Sequence, residues 1–229
     1  MLWQPVILSL KLATATTIIL LIVCWPLAWW LATTDNRYKS VVAAITALPL
    51  VLPPSVLGFY LLLLLSPNGP VGGIWDSLTG QGGLAFTFIG LLIASCIYSF
   101  PFVVQPLQAA MEKLDLNQVE AAWTLGASKR RTLWSVVLPQ IRHGILSATI
   151  LGFIHTLGEF GVVLMVGGNI PGQTQVISIA IYEQVELMDY HSAHILSGGL
   201  ALSAFMVLFL VYTMLGQSAG QTKWRRSSP

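Results

Sequence analysis

Few side chains in this sequence could do chemistry, and most of those stand in oily surroundings. Glu159 follows Gly158 and precedes Phe160-Gly161 at the end of an apolar run, with His155 one helical turn before it. A carboxylate at membrane depth is a functional candidate, and at i, i+4 spacing the two side chains could pair. Glu159 has three readings: a gate, a structural hydrogen-bonding group, or a solvated residue at the outer end of a helix. His155 reads first as a core histidine with one hydrogen bond, and His191 and His194 read as surface residues. Cys24 and Cys96 both lie in apolar runs and read as small buried hydrophobes. No Cys or His spacing suits a metal, and no phosphate loop is present. No catalytic residue, metal or cofactor is therefore expected.

The polar residues that do cluster run from Glu120 to Pro139, EAAWTLGASKRRTLWSVVLP. The stretch reads as two short helices about a hinge. Asn117 with Glu120 three residues on has capping-box spacing, and Leu116, Val119 and Trp123 share one helical face. Gly126 suits a left-handed C-cap, Ser128 can cap a second helix bearing Lys129, Arg130 and Arg131, and Pro139 restricts the entry to the next segment. Ala121 and Ala122 leave a low surface for close approach by another protein.

Such a stretch needs a scaffold, and composition names its solvent. Of 229 residues, 55% are hydrophobic and 9% charged, against about 25% charged in soluble proteins. About 20 apolar residues cross a bilayer, and runs of that kind occupy 12–34, 41–65, 84–105, 144–166 and 194–215. The expectation is an all-α polytopic membrane protein, a single transmembrane domain over 1–229 with a polar loop at 112–142. The start lacks the basic residues and the small residues before a cut that mark a cleaved signal peptide. Pro26 predicts a kink in the first span. Pro49, Pro53 and Pro54 break or bend the second, and with Ser55 they leave two readings, a pathway lining or a kinked packing helix. Residues 66–83, rich in Gly and Pro, read as a loop. Residues 176–187 read as a short amphipathic helix at the membrane surface, and Gly199 with Ser203 as a helix-packing face. Trp3, Trp29, Trp30, Trp75 and Trp224 suit interfacial anchoring.

Ten of the eleven Lys and Arg residues fall on one side if five spans alternate, namely Arg37, Lys39, Lys113, Lys129, Arg130, Arg131, Arg142, Lys223, Arg225 and Arg226. Only Lys11 falls opposite, where Asp76, Glu159, Glu183, Glu186 and Asp189 gather. The positive-inside rule then puts the N-terminus outside and the C-terminus and the 112–142 loop in the cytoplasm.

The run Glu120-Ala121-Ala122, Gly126, Leu138-Pro139, with Val136 where isoleucine is usual, resembles the EAA loop of ABC-importer permeases. Gly158-Glu159-Phe160-Gly161, Gly168-Asn169-Ile170-Pro171-Gly172, the 48–60 stretch and Ile181-Tyr182-Glu183 resemble the oxyanion permeases of that family, most closely the molybdate branch. The resemblance implies a type I importer fold without its own ATPase chemistry. It implies that Glu120, Ala121, Ala122, Gly126, Leu138 and Pro139 meet a cytoplasmic ATP-binding subunit. It also implies a homodimer in the inner membrane, an extracytoplasmic molybdate-binding protein, and no nucleic-acid partner. Tungstate and sulfate are the alternative cargoes. An ion-coupled transporter would need paired ionisable residues at mid-membrane, and an anion channel a basic mouth; spans two, three and five lack the first, and the acidic outer face lacks the second.

Overall fold

The computed structural model describes residues 3–219, and every regular element in them is helical. The tail carrying Lys223, Trp224, Arg225 and Arg226 lies outside the described residues. In order the elements are α1 (Trp3–Thr33), α2 (Lys39–Val51), α3 (Pro54–Leu65), α4 (Pro70–Thr79), α5 (Phe88–Met111), α6 (Leu116–Thr124), α7 (Lys129–Thr132), a π-turn (Leu133–Val137), α8 (Leu138–Gly158), α9 (Gly161–Gly167), α10 (Ile177–Glu186) and α11 (Tyr190–Ala219).

Among the described residues, five helical units are long and apolar enough to cross a bilayer: Trp3–Thr33, Pro54–Thr79, Phe88–Met111, Lys129–Gly158 and Tyr190–Phe209. The second differs from the expected 41–65, and the hydrogen bonds explain how. The amides of Leu84 and Ala85 both donate to Leu65 O, at 2.8 and 3.1 Å. Residues 66–83 therefore leave and return at one point, and α4 is an excursion beside α3 rather than its continuation. The expected 41–65 is split: α2, whose 13 residues reach only about 20 Å, ends at the Leu52-Pro53 break, and α3 starts a separate unit. The expected loop at 66–83 contains a helix because Pro70 can open one where no donor is needed.

The fourth unit also departs from expectation. Its helix starts at Lys129, well before residue 144, and stops at Gly158. Pro139 does not interrupt it. The ring of a proline clashes with the carbonyl four residues back in an α-helix, and here the backbone is widened into a π-turn, with Leu138 N–H bonded to Leu133 O. The widened turn ahead of Pro139 lets α7 run into α8.

The bundle core is built by α1, α5 and α8. Leu20, Cys24, Ala28 and Leu31 of α1 pack with Val103, Val104, Leu107 and Met111 of α5 and with Ile141 and Ala148 of α8. The far side of α1 carries exposed Ile18, Ile22 and Val23, so the helix is apolar all round, as a membrane helix must be. On α8 the small residues Gly144, Ala148 and Gly152 recur every fourth position. A Cβ on Gly144 would sit 2.2 Å from the Ala110 Cβ, and one on Gly152 2.6 Å from Val103 Cγ2. This stripe lets α5 and α8 meet backbone to backbone. The packing face expected at Gly199 and Ser203 has no such close partner among the described residues: apart from the helix's own neighbouring backbone, nothing lies within 4 Å of a Cβ at Gly199.

Candidate functional site

The Glu120–Pro139 stretch folds as the two-helix hinge its caps require, with one correction. The cap of α6 is Asp115, not Asn117: its carboxylate accepts the Asn117 amide at 3.1 Å, and the helix begins at Leu116. The Glu120 side chain makes no capping bond and stays exposed. Gly126 ends the helix at φ 81°. Its amide donates to Trp123 O at 2.9 Å while the Ala127 amide donates to Ala122 O at 2.9 Å, the paired bonds of a Schellman cap. Ser128 Oγ then accepts the Arg131 amide at 3.3 Å and opens α7.

Val119 is the root of the hairpin, buried in the same cluster as the α1, α5 and α8 side chains. A clasp of amides holds it there as well. Gln140 Oε1 accepts the Asp115 amide and Gln140 Nε2 donates to Gln118 Oε1, each at 3.1 Å. Of the six coupling candidates, Glu120, Ala121, Gly126 and Pro139 are exposed and Ala122 and Leu138 half-buried. Leu125, 88% exposed, was missed in the sequence. Its signal was its place, the last residue before a left-handed glycine, where a side chain stands clear of the turn. An exposed apolar knob beside low alanines on a rooted hairpin can seat in another protein and carry its movement into the bundle.

The pathway candidates lie where two broken helices cross. After Val51 the chain is extended through Leu52 (ψ 134°) and Pro53 (ψ 137°), and Pro54 restarts it as α3. Likewise Glu159 is extended (ψ 132°) between α8 and α9. A Cβ on Gly161 would fall 2.7 Å from Pro54 Cβ, and one on Gly58 2.8 Å from Met165 Cβ, so α3 and α9 are pressed together. Pro53, Pro54 and Ser55 are exposed and Pro49 is half-buried.

Glu159 does not pair with His155. The extended backbone at Glu159 ends the helical register, and the two side chains make no hydrogen bond to each other. His155 Nδ1 bonds Ser99 Oγ at 2.9 Å, Ser99 Oγ also meets Thr156 Oγ1 at 2.9 Å, and the imidazole stacks on Phe102 with centroids 3.7 Å apart. Glu159 is only 3% exposed, which removes the solvated reading. Neither of its oxygens has a hydrogen-bond partner among the described residues, and the same holds for the buried hydroxyls of Ser95 and Thr16. Its carbonyl is held by the Ser178 hydroxyl. His191 and His194 are exposed, as expected.

On the same side of the bundle as Glu159, Glu183 closes the 169–175 turn. It accepts from Asn169 Nδ2 at 3.0 Å and from Gln175 Nε2 at 2.6 Å. Residues 177–186 form α10, with Ile177, Ile179 and Ala180 buried. The hydroxyl and amide of Ser192 beside Asp189 hold its carboxyl below the usual range.

Residues 24–221 match the family described as binding-protein-dependent transport system inner membrane component. The molybdenum transport system permease protein ModB of Azotobacter vinelandii is 52% identical over 213 residues, 93% of this chain and 94% of its own. The protein of the same name from Escherichia coli strain K12 is 35% identical over 80% of each chain. The sulfate transport system permease protein CysT of Synechocystis is 35% identical over 83% of this chain and 65% of its own. Among solved structures, a bacterial alginate ABC transporter in complex with its pentasaccharide-bound periplasmic protein superposes with a TM-score of 0.73 at 17% identity, over 92% of this chain and 77% of that one. An amino acid ABC transporter with histidines gives 0.58 at 19% identity, over 91% and 89%. At such identities the likeness speaks for the fold alone, which is that of an ABC-importer permease.

Proposed function

This chain belongs to the family of binding-protein-dependent transport system inner membrane components, and from that premise we propose that it is the permease subunit of an ATP-driven molybdate importer. The 52% identity to a molybdenum permease across nearly both whole chains favours molybdate over sulfate, whose permease is 35% identical and is covered only over 65% of its length. Two copies of the chain form the pathway, two cytoplasmic ATPase subunits drive it, and an extracytoplasmic molybdate-binding protein delivers the anion. The N-terminus lies outside and the hairpin at Glu120–Gly126 inside, in keeping with the charge asymmetry.

The observation that carries the mechanism is the placement of Val119 in the bundle core beneath exposed Glu120, Ala121 and Leu125. ATP binding closes the ATPase pair, the pair moves the hairpin, and Val119 with the Gln118–Gln140 clasp passes that movement to α1, α5 and α8. The broken helices at Pro53-Pro54 and Glu159 are where the spans bend as the pathway switches from inward-open to outward-open. The outer end carries acidic groups, so the permease adds little affinity for a dianion and the binding protein supplies it. The test is reconstitution with the ATPase. Micromolar molybdate uptake should require the binding protein and resist competition by sulfate. Saturable uptake of molybdate without the binding protein, or preference for sulfate, overturns the reading.

A further inference from the structure

We propose that the cleft between the hairpin ends of α5 and α8 is a weak binding site for a tetrahedral oxyanion leaving the pathway. The proposal rests on the transport reading above and adds a site to it. The cleft holds about 580 Å³, and its polar lining is Lys113, Gln140, His143 and Ser147, with no Asp or Glu. Its apolar floor is the contact between Gly144 and Ala110. Converging ammonium, imidazole, amide and hydroxyl groups suit an anion that accepts hydrogen bonds on all sides. They do not suit lipid tails, against which such groups would go unsatisfied.

The two carboxylates next to Lys113 in sequence keep their charge but bond to neutral amides rather than to the lysine. The Glu112 carboxylate accepts from Gln108 at 2.9 Å, and Asp115 is engaged by the Asn117 amide and the Gln118 side chain. Lys113 itself has no hydrogen-bond or ion-pair partner among the described residues. Of the residues that line the cleft, Lys113 is the one that carries a fixed charge. One ammonium in contact with a charge in water shifts occupancy by about fivefold, enough to draw an anion to the mouth without trapping it.

The test uses the chain with its ATPase in inside-out vesicles, Cys24 and Cys96 replaced by Ala, and Ser147→Cys as reporter. Thiosulfonate reagents of opposite charge are compared, each rate divided by its rate with a free thiol. The anionic reagent should react faster than the cationic one, and millimolar molybdate should slow it. Lys113→Gln should reduce the anionic rate about fivefold and abolish protection, while Lys113→Arg keeps both. Co-purification with the ATPase checks that each variant is assembled. Equal normalised rates, no protection by molybdate, or a thiol unreactive to both reagents overturns the site. Molybdate uptake by the same complex separates the two readings. Normal uptake without protection sinks the site alone. Protection by sulfate in a complex that carries sulfate sinks the choice of cargo and leaves the site standing.

Discussion

Gly161 lies against Pro54 so closely that a Cβ on the glycine would stand 2.7 Å from the proline's Cβ. The contact joins the first residue of α9 to the first residue of α3, each of them just past a helix break. Gly161→Val should force the two breaks apart. Overpacking of this kind costs about 1–3 kcal/mol. The expected outcome is a lower unfolding temperature in detergent and loss of transport, while Gly161→Ala is milder in both. Unchanged uptake by Gly161→Val would show that the crossing does not move the pathway.

Gly126 sits at φ 81° with nothing within 4 Å of a would-be Cβ, so a substitution there meets strain and no clash. A left-handed backbone costs a residue with a Cβ about 1–2 kcal/mol, and a β-branched one more. Gly126→Val should leave insertion into the membrane intact and lower or abolish ATP-driven uptake, because the hairpin seats badly on its ATPase. Co-purification with the ATPase and uptake are the two readouts. Full values of both refute a coupling role.

Ser128 and Asn68 are both exposed and lie on opposite sides if the charge asymmetry sets the topology. A cysteine at Asn68 should react with an impermeant thiol reagent in intact cells, and one at Ser128 only after permeabilisation. Labelling of Ser128→Cys from outside would invert the orientation.

The contact between α5 and α8 should be the least forgiving place in the bundle. Gly144→Leu places a branched side chain where 2.2 Å separates a Cβ from Ala110. The helices must part, and the Gln118–Gln140 clasp parts with them. Poor expression and failure to bind the ATPase are expected. Gly199→Leu on the open face of α11 should leave the isolated subunit's stability within about 0.5 kcal/mol. Thermal unfolding of the two variants in detergent compares them directly.

Much of this protein is decided by near neighbours and could be read in order along the chain. Gly126 ends α6 and Ser128 opens α7 because both act on amides one turn away. Pro53-Pro54 breaks the second span because the rings remove donors locally. The charge asymmetry and the five apolar stretches follow from where each residue type falls along the chain. Other features needed the tertiary structure, because a helix that is apolar all round carries no pattern to show which face meets which neighbour. Nothing near Ser99 announces His155, 56 positions away, and nothing near Asp115 announces Gln140. The register of Glu159 with His155 suggested a pair that the break at Glu159 abolishes. Residues 66–83 looked like a free loop until Leu84 and Ala85 closed it on Leu65. Local chemistry sets where each helix starts and stops, and only the folded bundle, by packing small residues against distant ones, decides which groups are buried together.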